Sequence, residues 1–216
     1  ALAHIATEFG SPDMELTSRG NIQIRAITDT DAVAAALGAA GLLPSPTHER
    51  VRNIVASPLS GRSGGLIDVR PLVSELDEEL CAAPELVSLP GRFLFALDDG
   101  TGDVAGLGPD VGIHAVDATT VAVVLAGRDS GVRVPVAHAV AQLLAVAHRF
   151  ARVRGNAWRV TELDDPAALL NGAMAGPRYP AVGRPPIGWI GQDDGRVSLG
   201  AVVPLGVLRA RVAEYL

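Results

Sequence analysis

The feature of this sequence that most limits its possible folds is a short run in which polar and apolar side chains alternate strictly. Residues 21–26 read Asn-Ile-Gln-Ile-Arg-Ala. A period of two predicts a β-strand with one apolar and one polar face. If the extended backbone reaches back to Arg19, the polar face carries Arg19, Asn21, Gln23 and Arg25, because successive side chains point to opposite faces. On that condition two guanidinium groups and two amides line up on one sheet surface.

A second set of hydrogen-bond donors follows after a single predicted helix. Residues 50–58 read Arg-Val-Arg-Asn-Ile-Val-Ala-Ser-Pro, which puts Arg52 and Asn53 directly before a short apolar strand. The planar guanidinium fork matches a carboxylate, and each such hydrogen bond contributes roughly 1.5–3 kcal/mol in a sheltered place. The two runs together predict a ligand rich in carboxylates. A solvated polar sheet face is the alternative for the first run, and for Arg50 we expect a surface role.

The balance of charge argues against nucleic acid as a partner. The sequence has 216 residues and a net charge of −6, with 24 acidic and 18 basic residues, and every basic residue is Arg. A nucleic-acid-binding domain is normally basic. No window approaches the ~20 unbroken apolar residues of a membrane span, and the first residues lack the basic and apolar regions of a signal peptide. We therefore expect a soluble, cytoplasmic protein with neither a nucleic-acid nor a membrane partner.

The residue types that bind metals do not form a metal site by spacing. The single cysteine, Cys81, excludes an intrachain disulfide and an iron–sulfur cluster ligated by this chain alone, which takes four thiolates. Its place after Leu80 at the end of an apolar helical stripe predicts a small core residue, not a nucleophile. No histidine has a second histidine three or four residues away, and only His48 lies in a loop that looks functional. Residues 98–103 resemble a calcium loop only loosely, and a hairpin-type turn is favoured there.

The remaining patterns predict strands and helices that are grouped along the chain, and grouping of this kind is typical of an α+β fold. The predicted helices span residues 1–9, 29–41, 71–82, 136–153 and 165–174, with a further short turn at 84–88. The predicted strands span residues 13–17, 21–27, 54–56, 92–97, 111–116, 120–126 and 195–203. A last helix is predicted to begin after the turn at 204–206 and to run to residue 216.

The two ends of the sequence fit together. It opens on the end of a predicted helix and closes on the beginning of one. Placed head to tail, residues 197–216 and 1–27 would make strand, turn, helix, strand and strand, which is one ferredoxin-like half. We expect the chain to be a fragment that corresponds to one period of a tandem two-fold repeat. On this interpretation the strand at 197–203 and the strands at 13–27 share one sheet.

Four sequence blocks in order carry a resemblance to a known family. They are Thr-x-Arg-Gly-Asn-x-Gln-x-Arg (17–25), Arg-Asn-Ile-Val (52–55), Leu-Pro-x-Arg-Phe (89–93) and Asp-Val-Gly-Ile (110–113). This order resembles the nitrite/sulfite reductase superfamily, and within it the precorrin-3B synthases of aerobic cobalamin biosynthesis. The resemblance implies three parts: a ferredoxin-like half at 1–41, a nitrite/sulfite reductase-type α+β domain at 42–175, and the start of a second ferredoxin-like half at 176–216.

The resemblance also implies roles for individual residues. Arg19 and Arg52 match positions where the reductases place arginines that face the anionic ligand, Asn53 sits in the same loop, and Gln23 matches a glutamine of the first strand motif. The reductases follow Leu-Pro with two spaced cations. Here Arg92 keeps the first, and Leu94 replaces the second. That departure argues against reduction of a small dianion, which needs a dense cationic pocket.

The family resemblance implies an oxygen-dependent conversion of precorrin-3A to precorrin-3B by the full-length enzyme. Arg19, Gln23, Arg52, Asn53 and Arg92 would bind the carboxylate-rich tetrapyrrole, and no catalytic residue is identified. The full-length family member would hold a [4Fe-4S] cluster, with haem-type or non-haem iron as a further possibility, and would need the second repeat and an external electron donor. The alternatives are half of a sirohaem-dependent sulfite or nitrite reductase, and a non-catalytic α+β module that binds a tetrapyrrole or a partner domain.

Overall fold

The chain folds as two compact units. Its computed structural model describes residues 1–17, 20–43, 45–171, 176–180, 183 and 186–215. Residues 1–45 and 201–216 form one unit, which we call the terminal unit, and residues 46–200 form the other, the central unit. The α+β class expected from the sequence is confirmed, and the largest sheet is mixed.

The described residues form the following helices and strands, in chain order: α1 (Leu2–Phe9), β1 (Asp13–Leu16), β2 (Ile22–Ile24), α2 (Thr30–Ala39), β3 (Ile54–Ala56), α3 (Arg70–Ala82), β4 (Phe95–Asp98), β5 (Val111–Ala115), β6 (Thr120–Leu125), β7 (Arg128–Pro135), α4 (Ala139–Val153), β8 (Gly188–Gly191), β9 (Val197–Gly200), β10 (Val207–Arg209) and α5 (Ala210–Ala213). Short 3₁₀ turns lie at Pro84–Ser88 and Pro166–Leu170, among others.

The terminal unit is built on a three-stranded antiparallel sheet with the order β10-β1-β2. Met14 is its central apolar residue, paired across the sheet with Ile24 on one side and Leu208 on the other. Ala3 of α1 and Ala210 of α5 pack with Met14, so the two helices cover this face. The small size of these side chains lets the helices approach the sheet closely but leaves little buried apolar area.

Two predictions for the end of the chain are wrong. The strand at 197–200 pairs with β8 and not with the strands at 13–27. The partner of β1 is β10, at 207–209, where the sequence predicted the first residues of a helix. β-branched Val207 and the backbone hydrogen bonds to β1 favour extended structure for these three residues, and the helix α5 begins only at Ala210.

The central unit is built on a five-stranded mixed sheet with the order β3-β4-β5-β6-β7. β3, β4 and β5 are parallel, and β5, β6 and β7 are antiparallel. The helices α3 and α4 pack on one face and on each other. Phe93, Phe95 and Phe150 meet in that layer, with ring centroids 5.0 and 5.1 Å apart. The helix predicted at 136–153 is present as α4, and its buried face carries Val140, Leu143, Leu144, Ala147 and Phe150.

The central unit also corrects the sequence prediction at three places. The turn at 98–103 is not a hairpin, because β4 and β5 run parallel and the connection crosses over through a 3₁₀ turn at Ala105–Leu107. The helix predicted at 165–174 is a 3₁₀ turn at Pro166–Leu170 that ends on Asn171 in a left-handed conformation, and residues 172–175 lie outside the described part. The strand β7 was not predicted, since Gly131 interrupts its pattern.

No helix within the described ranges is long and apolar enough to cross a membrane.

Candidate anion-binding site

Two of the predicted binding segments meet at one edge of the central sheet. Arg52 and Asn53 directly precede β3, and Arg92 lies three residues before β4. β3 and β4 are parallel neighbours, with Ile54 opposite Phe95. Because the amino ends of parallel strands lie at the same edge, the two segments become neighbours although 38 residues separate Asn53 from Gly91.

Asn53 joins these segments directly. Its Nδ2 donates to the carbonyl oxygen of Arg50 at 3.0 Å and to that of Gly91 at 3.1 Å. Its own carbonyl accepts from the amide of Phe95 at 2.9 Å, the first residue of β4. Both N–H donors of the Asn53 side chain therefore bind backbone carbonyls, and the residue acts as a brace between the two loops. Its side-chain oxygen remains available to accept a hydrogen bond from a ligand.

Arg52 is held by a partner that the sequence analysis did not identify. Its Nε and Nη2 donate to the two carboxylate oxygens of Asp77 on α3, both at 2.6 Å. The side chains are 28% and 32% exposed, so the pair is sheltered but not buried. The hydrogen bond to Asp77 raises the pKa of Arg52 further above its usual value. Within the described part of the chain no other acceptor engages this guanidinium, so its Nη1 is available to a ligand.

The Leu-Pro-x-Arg-Phe block contains an exposed cation, Arg92, and a buried residue, Leu94, directly follows the block. The Arg92 side chain is exposed and has no hydrogen bond or ion pair with any described residue. Leu94 is 3% exposed, and its amide donates to the carboxylate of Asp110. Leu94 therefore presents no group to a ligand at the surface. The position at which the reductases carry their second cation is thus occupied here by a buried apolar residue.

Gln23 lies in the terminal unit, on the polar face predicted from the alternation. In the register, Glu15 stands opposite Gln23, while Ile22 and Ile24 share the other face with Met14. Arg25 donates to both carboxylate oxygens of Glu15, at 2.7 and 2.8 Å, and to the Gln23 side-chain oxygen at 3.2 Å. The positive charge that Arg25 brings to this face is thus neutralised by Glu15 on the neighbouring strand. Arg19 lies outside the described residues.

A buried polar network that the sequence did not suggest lies at the carboxyl end of β4. Asp98 is fully buried, and its Oδ1 lies 3.0 Å from His114 Nδ1 on β5. Burial alone would raise the pKa of Asp98, but hydrogen bonds from His114 and from the amides of Ala105, Gly102 and Val104 outweigh it and hold that pKa well below its usual range. The His114 ring packs on Tyr179 at 4.9 Å between centroids, and burial, with the charge of Asp129, raises the pKa of Tyr179 to about 12.

The acidic loop after β4 is satisfied by protein donors. Carboxylate oxygens of Asp98, Asp99 and Asp103 lie within 4.8 Å of one another. Asp99 accepts from Thr101, and Asp103 accepts from the hydroxyl of Ser57 at 2.6 Å. These contacts, with those to Asp98, explain the cluster as a means of shaping the crossover loop. His48, likewise, is 2% exposed and lies 3.1 Å from the Ala83 carbonyl at the end of α3, which is a structural position.

Comparison with known proteins gives the class of fold. Residues 1–40 match the family of nitrite/sulfite reductase ferredoxin-like half domains. Among solved structures, the chain is similar to the Mycobacterium tuberculosis NirA protein, with 19% sequence identity and a TM-score of 0.74 over 97% of this chain. The comparison with curated proteins found no match.

The likeness to NirA concerns the fold, and it covers a part of that protein. The chain spans 45% of the length of the NirA chain. The iron–sulfur cluster that the resemblance implies for the full-length enzyme is not ligated by this chain, because Cys81 is the one thiol of the sequence and lies partly buried on α3. This chain by itself cannot ligate a [4Fe-4S] cluster.

Proposed function

We propose that this chain supplies carboxylate-binding residues to an oxygen-dependent oxidoreductase that converts precorrin-3A to precorrin-3B in cobalamin biosynthesis. The observation that carries the proposal is the brace at Asn53, which joins the loop of Arg50 and Arg52 to the loop of Gly91 and Arg92. Two separate blocks of the family resemblance thereby lie at one sheet edge. Arg19 and Gln23 remain proposed carboxylate-binding residues of the terminal unit.

The charge of this edge favours a large ligand with dispersed carboxylates. Arg52 already shares its charge with Asp77, so it offers directed hydrogen bonds more than net positive charge. Arg92 is a single exposed cation, and Leu94 is buried. A carboxylate that meets one guanidinium gains a charge-assisted hydrogen bond without needing a dense cationic pocket. A small dianion such as sulfite would need several uncompensated cations within reach.

The reaction needs components that this chain does not supply. Conversion of precorrin-3A to precorrin-3B places one atom of O₂ in the product and reduces the other to water with two electrons from an external donor. The second repeat and that donor are therefore proposed partners. This chain's share is to bind and orient the carboxylates of the tetrapyrrole.

Half of a sirohaem-dependent sulfite or nitrite reductase is the second candidate. The match of residues 1–40 and the likeness to NirA favour it. The buried Leu94 disfavours it.

Binding can be measured on this chain with uroporphyrin III, a tetrapyrrole that carries eight carboxylates. Titration followed by its fluorescence should show saturable binding, weakened about tenfold by Arg52→Ala and by Arg92→Ala, since each removes one charge-assisted contact. Arg152→Ala, an exposed arginine on α4, is the matched control and should leave affinity unchanged. Failure to bind, or equal affinity in all variants, would refute the binding role.

Assay of the reaction itself requires the chain together with the proposed second repeat. Precorrin-3A supplied with ¹⁸O₂ and a reductant should give a product that gains one ¹⁸O atom by mass spectrometry. Consumption of sulfite or nitrite by the reduced protein, without oxygenation of the tetrapyrrole, would replace this proposal by the second candidate.

A further inference from the structure

A separate cavity in the central unit has the features of a ligand site. It has a volume of about 310 Å³ and lies between the end of β6, the start of β7, the 3₁₀ turn at Pro166–Leu170 and Arg178. No residue of the edge formed by Arg52, Asn53 and Arg92 lines it. Its floor is apolar and its walls carry two arginines, Arg128 and Arg178.

The two arginines stand directly opposite each other. Arg128 and Arg178 form an isolated antiparallel bridge. Residues paired in this way have their Cβ atoms about 5 Å apart on the same side of the strands, and like charges at such positions are destabilising. An anion between the two guanidinium groups would turn this repulsion into two charge-assisted hydrogen bonds.

The position of Arg178 is fixed by backbone hydrogen bonds of the residues on either side of it. Gly176 donates to the carbonyl of Asp129 at 2.7 Å, Asp129 donates to that of Pro177 at 3.0 Å, and Tyr179 donates to that of Gly127 at 3.4 Å. A Cβ at Gly176 would lie 2.7 Å from the Asp129 carbonyl oxygen, so glycine permits this close approach. The segment therefore runs as an added strand beside the start of β7.

Neither guanidinium group is ion-paired with the described carboxylates that share the cavity. Asp129 is engaged in a bidentate pair with Arg133, at 2.8 and 2.7 Å, and Asp165 caps the amide of Ala167. Within the described residues neither Arg128 nor Arg178 forms an ion pair, and Arg128 donates only to the Gly176 carbonyl, at 3.3 Å.

We propose that this cavity binds an organic monocarboxylate with a small apolar body. Arg128 and Arg178 would hold the carboxylate, and the Thr161 hydroxyl would donate a further hydrogen bond. The hydrocarbon part would contact the apolar floor, which is formed by Leu125, Ala126, Pro166 and Ala167. Asp165, which accepts a hydrogen bond only from the Ala167 amide among the described residues, keeps its negative charge at the cavity wall and selects against dicarboxylates and against phosphate.

The proposal can be tested on this chain with benzoate as the probe. Addition of benzoate to ¹⁵N-labelled protein should shift the amide signals of Arg128, Ser130 and Thr161 in a saturable way. Arg178→Ala should weaken the binding about tenfold or more, because it removes one charge-assisted contact. Arg152→Ala is again the control and should bind benzoate unchanged.

Two further ligands define what would overturn the inference. Benzyl alcohol, which keeps the ring and lacks the charge, should bind at least about tenfold more weakly than benzoate, and inorganic phosphate should compete poorly. Equal binding of benzyl alcohol, or unchanged benzoate affinity in a folded Arg178→Ala protein, would overturn the proposal. Absence of shifts at the cavity amides would do the same.

Discussion

Arg52 and Asp77 face each other through two parallel hydrogen bonds, each 2.6 Å long. The pair connects the amino end of β3 to the middle of α3, two elements that are separated by a long loop in the sequence. A bidentate contact fixes the plane of the guanidinium as well as its position. The direction in which Arg52 presents its remaining Nη1 group is therefore set by a residue on a different element.

Replacing Asp77 tests this relationship. Asp77→Asn should lower the free energy of unfolding by about 1–2 kcal/mol, because the new amide group removes the negative charge and places an N–H donor against Nη2 of Arg52. The effect stays this small because both side chains are partly exposed to solvent. Urea denaturation measures the change. Glu78→Gln, at an exposed position on the same helix, should be neutral within about 0.5 kcal/mol.

The pair should also show energetic coupling. In a double-mutant cycle of Arg52→Ala and Asp77→Ala, the two changes should cost about 1 kcal/mol less together than the sum of their separate effects. Strict additivity would mean that the contact contributes nothing to stability.

The Asp98 network predicts a dependence of stability on pH. Asp98→Asn should destabilise the protein by about 3 kcal/mol at pH 7. The amide group would place its own N–H donors against the backbone N–H groups that now donate to the carboxylate, and His114 would lose its charged partner. Chemical denaturation of both proteins, repeated between pH 3 and pH 7, gives the difference at each pH.

The sign of that dependence follows from the lowered pKa of Asp98. The unfolded chain takes up a proton at this group near pH 4, and the folded protein does so only at lower pH. The stabilisation is therefore complete above about pH 4 and is lost as the pH falls below it, so the gap between wild type and Asp98→Asn should shrink on acidification. Asp164→Asn, at an exposed position, should show no such trend. A gap that widens at low pH would contradict the assigned direction.

The sequence predicted those parts of the structure that depend on local pattern. The helices at 71–82 and 136–153 were predicted because their apolar residues recur at helical spacing, and the structure buries Leu72, Leu76 and Leu80 of α3 and one face of α4. The polar face that bears Gln23 and Arg25 followed from alternation in the same way.

Contacts between residues far apart in the sequence could not be predicted from local patterns. Asp77 lies beside an apolar stripe like many solvated helix residues, and nothing local pairs it with Arg52. The parallel pairing of β4 and β5 was missed because residues 98–103 have the composition of a tight turn, whereas the buried Asp98 uses the loop amides to build a crossover. β10 was missed because three residues are too few for a period to be visible.

The pairing of β4 with β5 predicts that Gly112 tolerates no side chain. A Cβ at this residue would lie 2.5 Å from the carbonyl oxygen of Ala96 on the neighbouring strand, which cannot move without breaking the sheet. Gly112→Ala should lower the free energy of unfolding by about 2–3 kcal/mol. Gly191→Ala in β8 is the matched control, because a Cβ there would meet nothing within 4 Å. Similar denaturation midpoints for the two variants would show that the strands are farther apart than described.

The difference in core size between the two units predicts different protection against hydrogen exchange. The terminal unit buries small residues around Met14, and its helix α2 has no buried residue, whereas β5 and β6 lie in the middle of a five-stranded sheet beneath α4. A region that buries little apolar area opens locally at a low cost in free energy, and its backbone amides exchange through that opening. We expect the amides of β1, β2 and β10 to exchange faster than those of β5 and β6, by a factor of at least about 100 if the opening free energies differ by roughly 3 kcal/mol.

The hairpin β8–β9, which buries none of its residues, should exchange fast as well. Mass spectrometry of peptic fragments at pH 7 measures all three regions in one experiment. Equally strong protection of β1 and β5 in a monomer would show that the terminal unit is as stable as the central one.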